Sequence, residues 1–201
     1  ESKTYIDEPF TNPLTNKGDG NVTYTSSEES VATVDENGKV TIVGVGETTI
    51  TAAVPATTNY KADEASYTLM VAKAQIHITG AGVLPKIYDG GSKADVISVD
   101  FADKQGKEVT GVFGADYTAI GAFRDVNAGG RLVDITVELQ GDFAGKYMLE
   151  ADTYTTPVNI EAKTISIGSA TVKDRDYKQG DTSVTVSGVT FLDQDGNPCT
   201  M

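Results

Sequence analysis

The sequence predicts an all-β protein built from tandem sandwich-type domains, and three observations support this prediction. Short runs of alternating apolar and polar residues recur along the chain, and the clearest run is 133–140. Turn-forming segments rich in Asp, Asn and Gly, such as 35–38 and 195–197, separate the runs. Part of the chain is also repeated about 90 residues later. Many short strands at this spacing are typical of β-sandwiches and barrels.

The predicted strands follow one another with little interruption. Val, Ile and Thr are frequent in them, and their branched Cβ atoms suit a pleated, half-buried surface. Only two segments, 59–65 and 142–146, have the composition for a single helical turn. The predicted strands are 39–43, 48–54, 66–71, 75–79, 133–140, 157–162, 164–167 and 183–189.

Charge and composition exclude several classes of partner. The formal net charge is −13 at pH 7, so phosphate backbones and anionic lipid would be repelled. We therefore expect no nucleic-acid partner and no membrane insertion. Cys199 is the only cysteine and His77 the only histidine, so neither an internal disulfide nor a Cys/His metal cluster can form. A secreted β-rich protein without disulfides indicates a bacterial origin.

No catalytic residues are predicted, and we expect that the chain is not an enzyme. His77 lies between Ile76 and Ile78, so alternation places it on the opposite face of a strand, exposed or at a rim. Cys199 follows Pro198 and has the character of a small apolar strand residue. The carboxylates lie mainly in turns, and no pair stands out as the acid and nucleophile of a glycosidase.

Calcium is the one cofactor for which the sequence contains a partial ligand set. Asp193, Asp195 and Asn197 place oxygen ligands at close spacing. An EF-hand loop also needs a third Asx residue and a distant Glu, and both are missing here. A hairpin turn is the better interpretation, so no cofactor is predicted.

The internal repeat divides the chain into units. Tyr88 and Tyr177 lie 89 residues apart in similar surroundings, and Phe101 and Phe191 lie 90 residues apart. Two anchors that agree within one residue indicate one full unit followed by the first third of another. With boundaries near 72–74 and near Gly168, the predicted domains are 1–73, 74–167 and 168–201.

Four segments of the first unit form a recognisable pattern of strands and turns. They are Val22-Thr23-Tyr24-Thr25-Ser26-Ser27, Val31-Ala32-Thr33-Val34-Asp35, Gly38-Lys39-Val40 and Gly44-Val45-Gly46-Glu47-Thr48-Thr49-Ile50-Thr51-Ala52. With these segments the first unit resembles a group 2 bacterial immunoglobulin-like domain. The resemblance implies an immunoglobulin-like sandwich in which Val31 and Val34 fill the core. Gly38 is expected to permit the positive φ of a tight hairpin.

Five segments of the second unit also form a recognisable pattern. They are Tyr88-Asp89-Gly90, Gly121-Ala122-Phe123, Asp125-Val126-Asn127-Ala128-Gly129, Gly141-Asp142-Phe143-Ala144-Gly145-Lys146-Tyr147 and Ala162-Lys163-Thr164-Ile165. With these segments, residues 74–167 resemble the YDG modules, named for a Tyr-Asp-Gly motif, that occur in tandem on bacterial surface proteins. The second copy departs from the motif, with Tyr177-Lys178-Gln179-Gly180 in its place. A sandwich is predicted for 74–167, with a β-grasp arrangement and a short helix at 142–146 as the alternative.

The two resemblances imply an extracellular or bacterial cell-surface location. They indicate a non-catalytic structural or adhesive stalk, and the chain is expected to be a segment of a longer polypeptide. The short join at 72–74 predicts a stiff rod. The alternatives are a module that binds a cell-surface glycan or a host extracellular protein, and accessory domains of a secreted enzyme whose catalytic domain lies elsewhere.

Aromatic residues and strand edges bear on what the chain binds. There is no Trp to form a sugar-stacking platform, and Tyr24, Tyr67 and Tyr147 are interpreted as core residues. Tyr147 also resembles the corner tyrosine of immunoglobulin sandwiches. Half a sandwich exposes unpaired strand edges, so 169–201 is expected to pair with a neighbouring domain or to self-associate with another copy of the chain.

Overall fold

The chain is almost entirely β-structure, as the alternation predicts. The structure, a computed structural model, describes residues 1–173, 179–180 and 186–199. The first unit contains β1 (Ser2–Thr4), β2 (Phe10–Thr11), β3 (Thr23–Ser26), β4 (Ala32–Val34), β5 (Lys39–Ile42), β6 (Gly46–Val54) and β7 (Asp63–Ala72). The second contains β8 (Ala74–Val83), β9 (Lys86–Ile87), β10 (Lys93–Ala94), β11 (Val96–Asp103), β12 (Glu108–Val109), β13 (Tyr117–Phe123), β14 (Gly129–Leu139), α1 (Gly141–Lys146), β15 (Tyr147–Leu149) and β16 (Thr153–Glu161). A third contains β17 (Ile165–Val172) and β18 (Val186–Asp193).

Two sheets form the first unit, in the strand orders β1-β7-β6-β3 and β2-β5-β4. Alternate residues of β6 and β7 point inward, and Ile50 and Leu69 join Val31 and Val40 in one buried cluster. The helical turn predicted at 59–65 is wrong. Residues 63–65 begin β7 and pair with 52–54 of β6, because the hairpin ladder satisfies their backbone groups better than one isolated turn would.

The hairpin turn at Gly38 has the conformation that the sequence predicts. Its φ is +78°, and Asp35 Oδ1 accepts the N–H groups of Asn37 at 2.9 Å and Lys39 at 2.8 Å. A Cβ atom at Gly38 would lie 2.8 Å from Cζ of Tyr24, so the position also needs the absence of a side chain. Val31 is buried and Val34 packs against the same cluster, which confirms their predicted place in the core.

The second unit is a sandwich. Its sheets have the strand orders β10-β13-β14-β16-β9 and β12-β11-β8-β15, and one core cluster takes residues from both. Ile76 and Phe101 come from one sheet, and Val133 and Ile135 come from the other. The β-grasp alternative is wrong, because two sheets face each other instead of one sheet wrapping a helix. The helix α1 does form at the predicted place, and it contributes Phe143 to the core.

Tyr117 joins the two sheets of the second unit. Its ring lies edge-on to Phe101 with 5.0 Å between the ring centroids. Its Oη accepts the N–H of Val99 at 2.8 Å and donates to the carbonyl of Val99 at 3.2 Å. Tyr117 therefore supplies hydrogen bonds to β11 from the opposite sheet, a role that the sequence did not reveal.

The third unit is a two-stranded hairpin, β17–β18. The boundary predicted near Gly168 falls inside β17, so the hairpin begins at Ile165. Among the described strands, β17 and β18 pair only with each other, and the predicted pairing with a neighbouring domain is not seen. Self-association with another copy stays a prediction. Tyr177 and the start of the 183–189 run lie outside the described residues.

Candidate functional site

The side chains considered for catalysis lie in different units. His77 is half-buried on β8, where it pairs with Ala102 across the ladder. Cys199 is half-buried beside the hairpin, and its N–H donates to the carbonyl of Phe191 at 2.8 Å. Many acidic residues support turns, as the sequence predicts: Asp35 and Asp103 each accept two backbone N–H groups. This arrangement provides backbone support and no acid–base pair.

The oxygens of the calcium candidate Asp193 have protein donors. Oδ1 accepts the N–H groups of Asp195 and Asn197, each at 2.9 Å, and Oδ2 accepts from Lys163 Nζ at 2.9 Å. The hydrogen bond from Lys163 lowers the pKa of Asp193 to about 2, and the N–H of Asn197 contributes. In the described part of the chain, no three His, Cys, Asp or Glu side chains cluster so that they could hold a metal ion.

The join between the first two units is very short. Lys73 is the only residue between β7 and β8. A short parallel strand lies on each side of it: β1 pairs with the end of β7, and β15 pairs with the start of β8. A single residue spans at most about 3.6 Å, so the units have little freedom to separate.

Side chains from both units pack around this join. The rings of Tyr5 and Tyr147 meet edge to face with 5.6 Å between centroids, and Lys146 Nζ lies 5.4 Å from the centroid of the Tyr5 ring. Lys73 Nζ donates to the carbonyl of Ala144 at 2.6 Å, and the N–H of Tyr5 donates to Ala72 at 3.0 Å. The contacts fix the second unit against the first, and we name this set of residues the joint.

Tyr147 packs against the core of the second unit, as the sequence predicts, and it also contacts the first unit. It is half-buried, with its ring packed on Phe143 at 4.6 Å between centroids and on Tyr5 of the first unit. Burial raises its pKa. The tyrosine whose hydroxyl bonds buried backbone in this unit is Tyr117. No motif in the sequence indicates the partner Tyr5, because it precedes the recognised motifs and its contact lies 142 residues away.

A cleft of about 620 Å³ opens at the end of the first unit, beside the turn between β6 and β7. Tyr60 is 52% exposed and Leu14 is 40% exposed at its edge. The cleft continues the inner face of β6 and β7, where Ala52 and Ala65 leave space that larger side chains would fill. Polar groups line the rest: Asn16, Lys17, Lys61, Asp63 and Glu64.

Two loops that hydrogen-bond to each other form the cleft. Asn59 Nδ2 donates to Asp19 Oδ2 at 3.0 Å, and the N–H of Tyr60 donates to Thr57 Oγ1 at 3.1 Å. Hydrogen bonds from Thr57 and Asn59 lower the pKa of Asp19. A Cβ atom on Gly18 would lie 3.6 Å from the Tyr60 ring, so the two loops come close together here. Tyr60 therefore lies beside Gly18 with much of its surface exposed.

Tyr88, the other conspicuous exposed tyrosine, lies in the second unit. It follows β9 and is 40% exposed, and its N–H donates to the carbonyl of Glu161 at 2.8 Å. It does not line the cleft beside Tyr60. The predicted core residues Tyr24 and Tyr67 are half-buried, and both line a cavity of about 150 Å³ between the sheets of the first unit.

Solved structures with similar arrangements include surface proteins. The S-layer protein rSbsC is 21% identical with a TM-score of 0.31, covering 90% of this chain and 27% of its own. A SusE-like surface-located polysaccharide-binding protein from the Bacteroides thetaiotaomicron heparin utilisation locus is 15% identical (TM-score 0.29; 86% and 34% covered). Drosophila N-cadherin EC1-3 is 10% identical (TM-score 0.30; 96% and 72% covered). The chain thus spans about a quarter of the S-layer structure. No curated protein sequence matches it.

Two family models match the chain, one after the other. Residues 13–57 match the immunoglobulin-like domain of intimin, and residues 71–157 match the YDG domain. Neither description is that of a catalytic domain. No helix in the described ranges is long and apolar enough to cross a membrane. The order of the matches confirms the arrangement that the sequence predicts: a segment that matches an immunoglobulin-like domain is followed by a segment that matches the YDG domain. We refer to the second unit, β8 to β16, as the YDG domain.

Proposed function

We propose that this chain is a non-catalytic structural segment of a surface-associated protein, a stiff spacer that holds other domains away from the surface. The observation that carries the proposal is the joint, where a single residue and a set of packed rings connect two sandwiches. A flexible tether would have a long Gly-, Ser- or Pro-rich connection. The two family matches support the location, since they correspond to the immunoglobulin-like and YDG modules from which a bacterial surface location is expected.

Stiffness follows from the number of independent restraints at the joint. The backbone restrains it through Lys73, and β1 and β15 extend the hydrogen-bonded ladders to within a residue of it. The Lys73–Ala144 hydrogen bond and the Tyr5–Tyr147 contact add side-chain restraints between the two units beside this connection. Bending at the joint would break one or more of these contacts, so we expect a narrow range of interdomain angles.

The experiment is a distance measurement between spin labels at Glu36 and Glu138, one on each unit, with Cys199 replaced by Ser. Both label positions are exposed. We expect one narrow distance distribution. Tyr5→Ala removes the ring contact and should widen the distribution, whereas Tyr88→Ala, which changes an exposed tyrosine outside the joint, should leave it as it is. A broad distribution in the unmodified chain would contradict the spacer proposal.

A second candidate function is glycan binding at the cleft beside Tyr60. The observation that favours it is a half-exposed aromatic ring at the edge of a concavity that also contains amide and carboxylate groups. Sugar rings stack on aromatic faces, while their hydroxyls need donors and acceptors such as Lys61 and Asp63. The positive charges of the two Lys side chains in the lining balance the negative charges of Asp63 and Glu64. The cleft therefore suits a neutral oligosaccharide better than an anionic one.

The test of this second function is binding to an array of neutral oligosaccharides, mucins and matrix proteins. A saturable signal that Tyr60→Ala removes and Tyr88→Ala retains would support the cleft as a binding site. The two variants are matched, because each removes one exposed tyrosine. A signal that survives Tyr60→Ala would place binding elsewhere. No saturable binding on the array would contradict glycan binding and leave the spacer as the proposed function.

A further inference from the structure

The β17–β18 hairpin reproduces the β8–β11 hairpin of the YDG domain in its backbone pairing. In the YDG domain Ile76 pairs with Asp103 and Ile78 with Phe101, and the ladder then skips one residue of β8. In the hairpin Ile165 pairs with Asp193 and Ile167 with Phe191, and the ladder skips one residue of β17 at the same place. Offsets of 89 residues on the first strand and 90 on the second relate six of the seven pairs, so the two hairpins have the same register. The exception is the second irregularity, where Gly82 pairs with Ser98 but Thr171 pairs with Ser187.

The turn that follows the second strand is also the same. Asp103 Oδ1 accepts the N–H groups of residues 105 and 107, each at 2.9 Å, and its carbonyl accepts the N–H of Gly106 at 3.0 Å. Asp193 Oδ1 accepts the N–H groups of residues 195 and 197, each at 2.9 Å, and its carbonyl accepts the N–H of Gly196 at 3.0 Å. The repeat therefore extends from strand register to individual hydrogen bonds.

The residues that face the core in the YDG domain are retained in the hairpin. Each pair below is the same residue type in the two copies, at the equivalent ladder position. The pairs are Ile76 and Ile165, Ile78 and Ile167, Ala81 and Ala170, Val83 and Val172, Val96 and Val186, Val99 and Val189, and Phe101 and Phe191. These residues belong to or pack against the core cluster in the YDG domain.

Exposure separates the two copies. Ile76 is 1% exposed in the YDG domain and its equivalent Ile165 is 51% exposed, while Val99 is 5% exposed and Val189 is 41% exposed. Ile167 is 68% exposed. Such a set of branched apolar residues on one face of a two-stranded sheet is unfavourable in water. Among the residues that the structure describes, the hairpin thus retains an apolar core face that no second sheet covers.

We propose that this face, which we name the open face, is the docking surface for strands equivalent to β13, β14 and β16, so that the hairpin is part of a second YDG sandwich. The complementary chemistry is visible in the first copy, where Tyr117, Phe123, Val133, Ile135 and Val137 from β13 and β14 cover the same residues. In that copy the covering strands follow the hairpin along the polypeptide. The occupant is accordingly a segment that follows residue 201 in the same polypeptide.

The proposal can be tested by using the covering strands of the first copy as the occupant of the open face. Residue 201 corresponds to Gly111 at the 90-residue offset, so residues 112–161 are appended after Met201 to complete a hybrid second module. The control carries the same extension with Val133→Asp and Ile135→Asp in the appended copy, positions that are 0% exposed in the YDG domain. The readouts are hydrogen exchange at Ile167 and Phe191 and the fluorescence of the dye ANS.

We expect the extension to slow exchange at these two amides by about a hundredfold or more and to lower ANS fluorescence, while the control extension does neither. Unchanged exchange and ANS binding in the extended chain would overturn the proposal. Sedimentation of the 201-residue chain provides the second test. A stable dimer whose formation protects Ile167 and Phe191 would assign the open face to a second copy of the chain and would also overturn it.

Two substitutions in the unextended chain keep the test independent of whether the hybrid folds. Ile167→Ser should lower ANS fluorescence and leave the unfolding of the YDG domain unchanged, because the side chain is exposed. The matched change in the covered copy, Ile78→Ser, should destabilise the YDG domain. If Ile167→Ser instead destabilised the chain as much as Ile78→Ser, the face would already be covered and the proposal would be wrong.

Discussion

Replacing Tyr117 with Phe should measure what holds the two sheets of the YDG domain together. The substitution keeps the ring and its contact with Phe101 at 5.0 Å, and it removes only the Oη atom. Tyr117 is 2% exposed, so water does not readily replace the lost bonds to the N–H and carbonyl of Val99. The strand β11 pairs with β8 on one side, and at Val99 the phenol supplies the bonds on the other.

The magnitude follows from the desolvation of these backbone groups. A buried donor left without a partner costs about 1–3 kcal/mol, and the isosteric ring creates no cavity worth a further penalty. We therefore expect Tyr117→Phe to lower the free energy of unfolding of the YDG domain by about 2 kcal/mol. For a domain of this size, that loss lowers the unfolding midpoint by roughly 8–16 °C.

Urea unfolding followed by hydrogen exchange at peptides of the YDG domain gives this free energy without a tryptophan reporter. Tyr154→Phe is the matched control, because it removes one phenol oxygen from the same domain. Tyr154 Oη donates to the carbonyl of Thr79 at 3.2 Å in an exposed setting, so its loss should cost less than about 1 kcal/mol. If Tyr117→Phe lowered the free energy of unfolding no more than Tyr154→Phe does, the Tyr117 hydroxyl would not be the group that satisfies the backbone of β11 at Val99.

Two further predictions concern the turn and an ion pair. Gly38→Ala should lower the free energy of unfolding of the first unit by about 1–2 kcal/mol. Gly106→Ala should cost its own domain less, because both glycines have positive φ but only Gly38 lies against Tyr24. Equal losses of stability in thermal unfolding would refute the steric contribution of Tyr24. Arg124 lowers the pKa of Asp134 to about 2, so this pair stabilises the YDG domain above about pH 4 and the stabilisation is lost as the pH falls toward 2. Asp134→Asn should flatten that part of the acid-unfolding curve.

The local sequence pattern predicted the strands and turns of this fold better than it predicted the contacts between distant residues. Alternation and turn chemistry gave strands such as β14, the Gly38 hairpin and the α1 turn, because these depend on residues a few positions apart. The same reasoning failed at 59–65, where the polar composition resembles a helical turn and the pairing with β6 decides the structure. It also left open the choice between sandwich and β-grasp, which depends on how two sheets face each other.

The candidate sites depended on long-range contacts that no local pattern contains. Tyr5 and Tyr147 are 142 residues apart in the sequence and in contact in the structure. The cleft beside Tyr60 needs two loops that are distant in the sequence of the first unit and adjacent in space. Tyr117 could have been noticed only as a large polar residue in an apolar surrounding, a signal it shares with Tyr147. The repeat was the exception, because identical residues at a fixed offset predict an identical fold wherever they lie along the chain.

The parallel pairing of β1 with β7 has a mechanical consequence. When tension is applied along the polypeptide, force enters the first unit at β1 and leaves it at β7, which are adjacent strands of one sheet. In this geometry the load shears the strands past each other. Three residue pairs then share the load and must break together, instead of separating one after another. They are Ser2–Met70, Lys3–Val71 and Thr4–Ala72. A short strand pair thereby acts as a clamp against extension, which suits a protein exposed to flow or pulling.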